Sequence, residues 1–216
     1  MVKFVKKRVD VEEAGYTEVH IPGQAHVPEF RLEETNLFFI GLRGSGKTTL
    51  ASLIAGKLGA SFLDTDDLVM ERTGRSIADS VQVHGWDEFR ALEADCLREI
   101  GARQGRVVAT GGGIVLLPEN RELLKTSGRV FYLQAEVGLL AARLREDPEQ
   151  TRRPALSDLP LEEELARTLR EREPLYLQCT DYLLQAGKTP DELARDVLTM
   201  LMPDRDVFQK NEPSGS

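Results

Sequence analysis

Along residues 37–202, short apolar runs alternate with longer stretches whose apolar positions recur at helical spacing. The runs at 37–40, 106–110 and 129–133 are almost continuously hydrophobic, as strands buried on both faces of a sheet are. Shorter runs at 61–64 and 181–184 read as two further strands. A helix-like stretch at 48–58, helical segments reaching to about residue 104, and an amphipathic segment at 191–201 fill the intervals. Strands alternating with helices predict an α/β domain with a parallel sheet covered on both faces. Residues 1–36 alternate apolar and charged positions around Gly15, Pro22 and Pro28. They predict one or two short strands or an extended arm, and no chemistry attaches to them. Residues 203–216, ending in Asn-Glu-Pro-Ser-Gly-Ser, are expected to be a disordered tail.

Composition narrows the partners. With 28 basic and 36 acidic residues the chain carries a net charge of −8, the wrong sign for a nucleic-acid or anionic-membrane binder. No apolar stretch is long enough to span a bilayer. The basic start, Met1 to Arg8, is followed by Asp10, Glu12 and Glu13 instead of a signal-length apolar segment. Cys96 and Cys179 lie far apart with no CxxC, which reads as two reduced thiols in a cytoplasmic protein. His20, His26 and His84 are too scattered for a zinc site.

The chemistry begins at residues 41–48, GLRGSGKT, a complete GxxxxGK[ST] phosphate loop between an apolar strand and a helix start. Glycines at 41, 44 and 46 let backbone N–H groups turn toward a phosphate, and the helix N-terminus adds positive potential. Lys47 is placed to reach the β- and γ-phosphates, and Thr48 to offer its hydroxyl to Mg²⁺. A dinucleotide fingerprint fails because its third glycine position is Thr49. NKxD and DxxG are absent, which excludes a GTPase switch. The run at 107–113 ends in glycines where a motor ATPase would carry acids, so a small phosphotransferase remains.

On the acceptor side, FLDTD at 62–66 puts Asp64 and Asp66 at the carboxyl end of a strand, the edge that faces the ligand crevice. They suit metal binding and acceptor-hydroxyl contact, or Asp64 or Thr65 caps the next helix. Arg90 and Glu93 share a helix face; from spacing alone a surface ion pair is favoured. Gly111, Gly112 and Gly113 allow close approach of a ligand to backbone, or form a flexible turn. TRRPAL at 151–156, flanked by prolines, is a mobile lid over ATP or a solvated connector. Arg172 ends an arginine-rich helix just before Pro174.

In this order the pieces GLRGSGKTT, FLDTD, RTGRSIAD, GWDEFRALE, VVATGGG, RRPAL and REREPLY resemble shikimate kinase, from about residue 37 to 202. The resemblance implies a five-stranded parallel sheet with helices on both faces, a P-loop kinase of the nucleoside-monophosphate-kinase type with a lid at about 147–160. It implies transfer of the ATP γ-phosphoryl group to the 3-hydroxyl of shikimate, with Mg²⁺, by a cytoplasmic monomer that binds neither nucleic acid nor membrane. Gly44, Ser45, Gly46, Lys47, Thr48 and Thr49 would cradle the ATP phosphates. Asp64 would hold Mg²⁺ through water, with Thr48 as direct ligand. Asp66 would orient or deprotonate the attacking hydroxyl. Arg90 and Arg172 would grip the shikimate carboxylate, Glu93 would steady the arginine, and Gly112, within the triplet, would donate its N–H to the substrate. Arg153 matches the lid arginine, and Arg145 is the choice for the arginine beside adenine. A gluconate kinase of the same superfamily is disfavoured by the DTD and FRxxE pair. Three departures stand out: the lid reads Arg153-Pro-Ala-Leu where the family usually has RPLL, 143–151 is longer than in compact members, and 1–36 matches nothing in the family core.

Overall fold

The computed structural model describes residues 30–146 and 159–202. The expected N-terminal arm (its first 29 residues), most of the lid including Arg153, and the tail from 203 lie outside the described residues. Among the described residues, five strands, β1 (Asn36–Ile40), β2 (Ser61–Asp64), β3 (Arg106–Ala109), β4 (Gly128–Gln134) and β5 (Tyr182–Gln185), form one sheet in the order β2-β3-β1-β4-β5. Every pairing is parallel, with Phe38 opposite Val108 on one side and Val130 on the other. Central β1 is buried throughout, which is why its sequence shows no alternation.

Among the described residues, seven α-helices connect and cover the strands: α1 (Lys47–Leu58), α2 (Thr65–Thr73), α3 (Ile77–Gly101), α4 (Pro118–Ser127), α5 (Val137–Glu146), α6 (Leu161–Cys179) and α7 (Pro190–Leu201). Helices α1 and α7 pack on each other and on β1, β3 and β5, whereas α4 packs on α3, α6 and β4. The core runs through Leu37–Ile40, Leu50, Ile54, Val107, Val108 and Phe131, all at most 1% exposed. Among the described residues, no helix is long and apolar enough to cross a membrane.

Three local features position the site. Asn36, fully buried at the amino edge, donates to Arg103 O and Ser127 O and accepts from Arg106 N, fastening β1 to the segments entering β3 and β4. Helix α3 is two helices end to end, broken at Gly85 (φ 82°, ψ 171°), so that its second half starts at Trp86. The third feature corrects the expectation that α6 ends at Arg172: it runs through Pro174 to Cys179. Pro174 is exposed, so water can take the carbonyl its missing N–H leaves unbonded.

Candidate active site

The loops leaving β1, β2 and β3 open on the carboxyl edge of the sheet around a cleft of about 560 Å³. The β1 loop is the phosphate loop. Gly44 and Gly46 have φ of 77° and 94°, a region open to glycine at little cost, and a Cβ on Gly44 would crowd Leu144 Cγ at 3.1 Å. Ser45, Thr48 and Thr49 line the cleft with them. The Ser45 Oγ is buried with no partner among the described residues. Lys47, 7% exposed, curls back to donate to Leu42 O at 2.8 Å, which holds its ammonium group over the loop.

Asp64 caps α2, one of the two readings the sequence left open, and also faces the phosphate loop. Its Oδ1 accepts from Asp66 N at 2.9 Å as the N-cap of α2, while its Oδ2 accepts from Thr48 Oγ1 at 2.8 Å. A hydroxyl and a carboxylate side by side at the phosphate end are hard oxygen donors of the kind Mg²⁺ takes together with phosphate oxygens. Among the described residues there is no cluster of three His, Cys, Asp or Glu that would hold a metal by protein ligands alone.

Asp66, in the first turn of α2 and 7% exposed, lines both this cleft and a second, narrow pocket of about 60 Å³ beside it. Arg90, Glu93, Arg172 and the three glycines line that pocket. Arg90 Nη1 donates to Glu93 Oε2, and its guanidinium lies 4.9 Å from the Trp86 ring centroid and 5.3 Å from that of Phe89. The pair is not the solvated one the i,i+3 spacing favoured: Glu93 is 1% exposed and its Oε1 has no partner among the described residues. Burial, with the Asp66 charge adding to it, pushes the Glu93 carboxyl up to about 7 against the pull of Arg90 and Arg172.

The glycine triplet is a packed wall, not a loose turn. A Cβ on Gly111 would collide with Glu93 Oε1 and lie 2.6 Å from Asp66 Oδ1; one on Gly113 would run into the Arg90 guanidinium. Gly111 N donates to Thr65 Oγ1 at 2.8 Å, and Gly112 O accepts from Arg172 Nη1 at 3.1 Å. Burial pulls the Arg172 pKa below its usual value, though a guanidinium stays charged at any working pH.

A family model described as shikimate kinase matches residues 43–202. The chain belongs to the shikimate kinase family. Over 157 residues it is 41% identical to a shikimate kinase 2 from Photorhabdus laumondii, covering 73% of this chain and 90% of that one. A shikimate kinase 2 from Sodalis glossinidius is 41% identical over 168 residues, 78% of this chain and 96% of that one. Among solved structures, the shikimate kinase from Acinetobacter baumannii in complex with shikimate superposes with a TM-score of 0.74 at 33% identity, covering 79% of this chain and 94% of that one. The Bacteroides thetaiotaomicron shikimate kinase gives a TM-score of 0.72 at 28% identity, with 77% and 98% coverage.

Within this shikimate kinase fold, the two pockets bring together every sequence-derived site residue that is described, except one. Arg145 does not enter the cleft; it is exposed and pairs with Glu162 on the surface. Arg143, two residues earlier, takes the cleft side. Its Nη1 donates to Ser45 O at 3.2 Å and its Nη2 to Ala186 O at 2.8 Å, joining the phosphate loop to the segment before α7. The helical phase of α5 carries the signal: buried Leu140 and Leu144 face Gly44, and Arg143 adjoins them while Arg145 points away. Lys188 and Pro190, at the same end of the cleft, were also missed. So was Arg43, which lines both pockets and pairs with buried Glu164 on α6.

Proposed function

We infer that the chain transfers the γ-phosphoryl group of ATP to the 3-hydroxyl of shikimate, giving shikimate 3-phosphate and ADP. One observation carries the residue-level reading: Asp66 borders the nucleotide cleft and the arginine-lined pocket at once. A hydroxyl held at Asp66 therefore faces the phosphate end of the cleft, as in-line transfer requires. Asp66 orients that hydroxyl and accepts its proton as the new O–P bond forms.

The phosphates rest on the backbone of Gly44–Thr49 and on Lys47, whose charge offsets that building on the γ-oxygens. Thr48 and Asp64 would hold Mg²⁺, directly and through water; the ion supplies charge neutralisation on the phosphate oxygens when bound. Arg90 and Arg172 grip the shikimate carboxylate, an anion whose planar fork matches a guanidinium. Glu93 sets the Arg90 orientation, and Gly112 offers its N–H, which has no acceptor among the described residues. Arg143 and Pro190 flank the nucleobase end, in place of Arg145. Arg153, beyond the described residues, completes the phosphoryl contacts from the lid, and 37–202 works as the catalytic unit.

Asp66→Asn tests the reading. Turnover should fall about 10²- to 10⁴-fold while ATP affinity, measured by calorimetry, stays within twofold. Retained turnover would remove Asp66 from the mechanism.

A further inference from the structure

Tyr176 lies one helical turn beyond Arg172 on α6 and is fully buried. Its hydroxyl donates to Gly112 O at 2.5 Å, the same carbonyl that receives Arg172 Nη1 at 3.1 Å. A carbonyl oxygen has two lone pairs, and here both are used. The phenol ring cannot turn away, because it is stacked on Tyr132 of β4 with centroids 5.0 Å apart. Tyr132 in turn reaches Glu173 Oε1 at 3.5 Å, an oxygen that also accepts from Gln134 Nε2 at 2.7 Å. The tyrosine is thus fixed in place from the central sheet.

The consequence appears at Arg172. Its Nη1 is spent on Gly112 O, whereas its Nε is buried with no partner among the described residues. The edge of a guanidinium that carries Nε and the far Nη2 presents two parallel N–H groups, the arrangement that a carboxylate takes in a bidentate contact. Which way that edge faces depends on where Gly112 O holds Nη1, and Gly112 O is held by Tyr176. We propose that Tyr176 is a positioning residue for substrate: through Gly112 O it sets the plane of Arg172 and leaves the Nε edge open to the carboxylate of the acceptor. This rests on the reading of Arg172 as a carboxylate ligand.

Burial raises the phenol's pKa well above its usual value, so the hydroxyl donates at every usable pH. Removing it by Tyr176→Phe keeps the stacked ring and still leaves Gly112 O bonded to Arg172, so no buried acceptor is orphaned and folding is spared. What goes is the constraint on the arginine.

The test is a double-mutant cycle of Tyr176→Phe and Arg172→Lys on the full chain, reading KM for shikimate, KM for ATP, kcat and Tm. Tyr176→Phe should raise KM for shikimate about three- to tenfold, the range of one hydrogen bond, with KM for ATP and Tm unmoved. In the Arg172→Lys background, which has no planar fork to orient, the same substitution should add nothing to KM for shikimate. Parallel rises in both KM values with a lower Tm would mean a structural role only and overturn the proposal. So would an unchanged KM in Tyr176→Phe beside a raised one in Arg172→Lys, or additive effects. If Arg172→Lys itself leaves KM for shikimate unchanged, the carboxylate reading fails, and the proposal with it.

Discussion

Glycine at 113 is required by what faces it, since Arg90 occupies the space where a side chain would start. Gly113→Ala should push the guanidinium out of line and, at about 10²-fold for an error near 1 Å, lower kcat/KM for shikimate while leaving KM for ATP alone. Equal loss for both substrates would point to a disturbed sheet edge instead. Glu93 makes a separate prediction. Its folded carboxyl titrates near 7 because burial disfavours the charge, whereas an unfolded glutamate titrates near about 4.3. Below both values the residue is neutral in either state and its burial costs least. As pH rises between them, the unfolded chain releases the proton first, so stability falls until the folded group has ionised too. Wild-type Tm should therefore drop from pH 5 to 8 more steeply than that of Glu93→Gln. Parallel curves would contradict the burial account.

At the scale of elements, the break in α3 aims Trp86, Phe89, Arg90 and Glu93 at the acceptor pocket. Gly85 has open space where a Cβ would go, so the cost of a side chain there is in the backbone alone. Gly85→Ala should destabilise by about 1–3 kcal/mol, at roughly 2–4 °C of Tm per kcal/mol, and weaken shikimate binding more than ATP binding. An unchanged Tm would show that the second half of α3 tolerates another entry angle. Strands β1, β3 and β4 were legible in the sequence because central parallel strands are buried on both faces and read as plain apolar runs, whereas the partly exposed edge strands β2 and β5 showed only as shorter runs. The phosphate loop was legible because its glycine spacing is set by phosphate geometry. Other features depend on tertiary neighbours. Pro174 reads as a helix stop, yet α6 runs on past it to Cys179, with the proline exposed to solvent. Asn36 fell in the stretch read as short strands or an extended arm, and its role shows only once the segments entering β3 and β4 close around its amide. Arg143 and Arg145 differ only in helical phase, which composition does not reveal. The burial of Glu93 was equally hidden, because i,i+3 spacing with Arg90 fits an exposed pair as well as a pocket.

For the molecule as a whole, a net charge of −8 repels two anionic substrates on average. Binding would then rest on a few placed cations, and those among the described residues that line the two pockets are Arg43, Lys47, Arg90, Arg143, Arg172 and Lys188. The sign of the whole chain says nothing of that pocket, where low dielectric makes each charge count for more. These charges, with Asp66 between them, would select a carboxylated polyol as phosphoryl acceptor. The most direct measurement is ADP release by the full chain with ATP and Mg²⁺, offered shikimate, gluconate or a nucleoside monophosphate in separate reactions. ADP release that saturates with shikimate, yields shikimate 3-phosphate in equal amount and stays at background with the other two is the expected result. No shikimate-dependent release at any concentration, or faster turnover of gluconate or a nucleotide, would contradict the account.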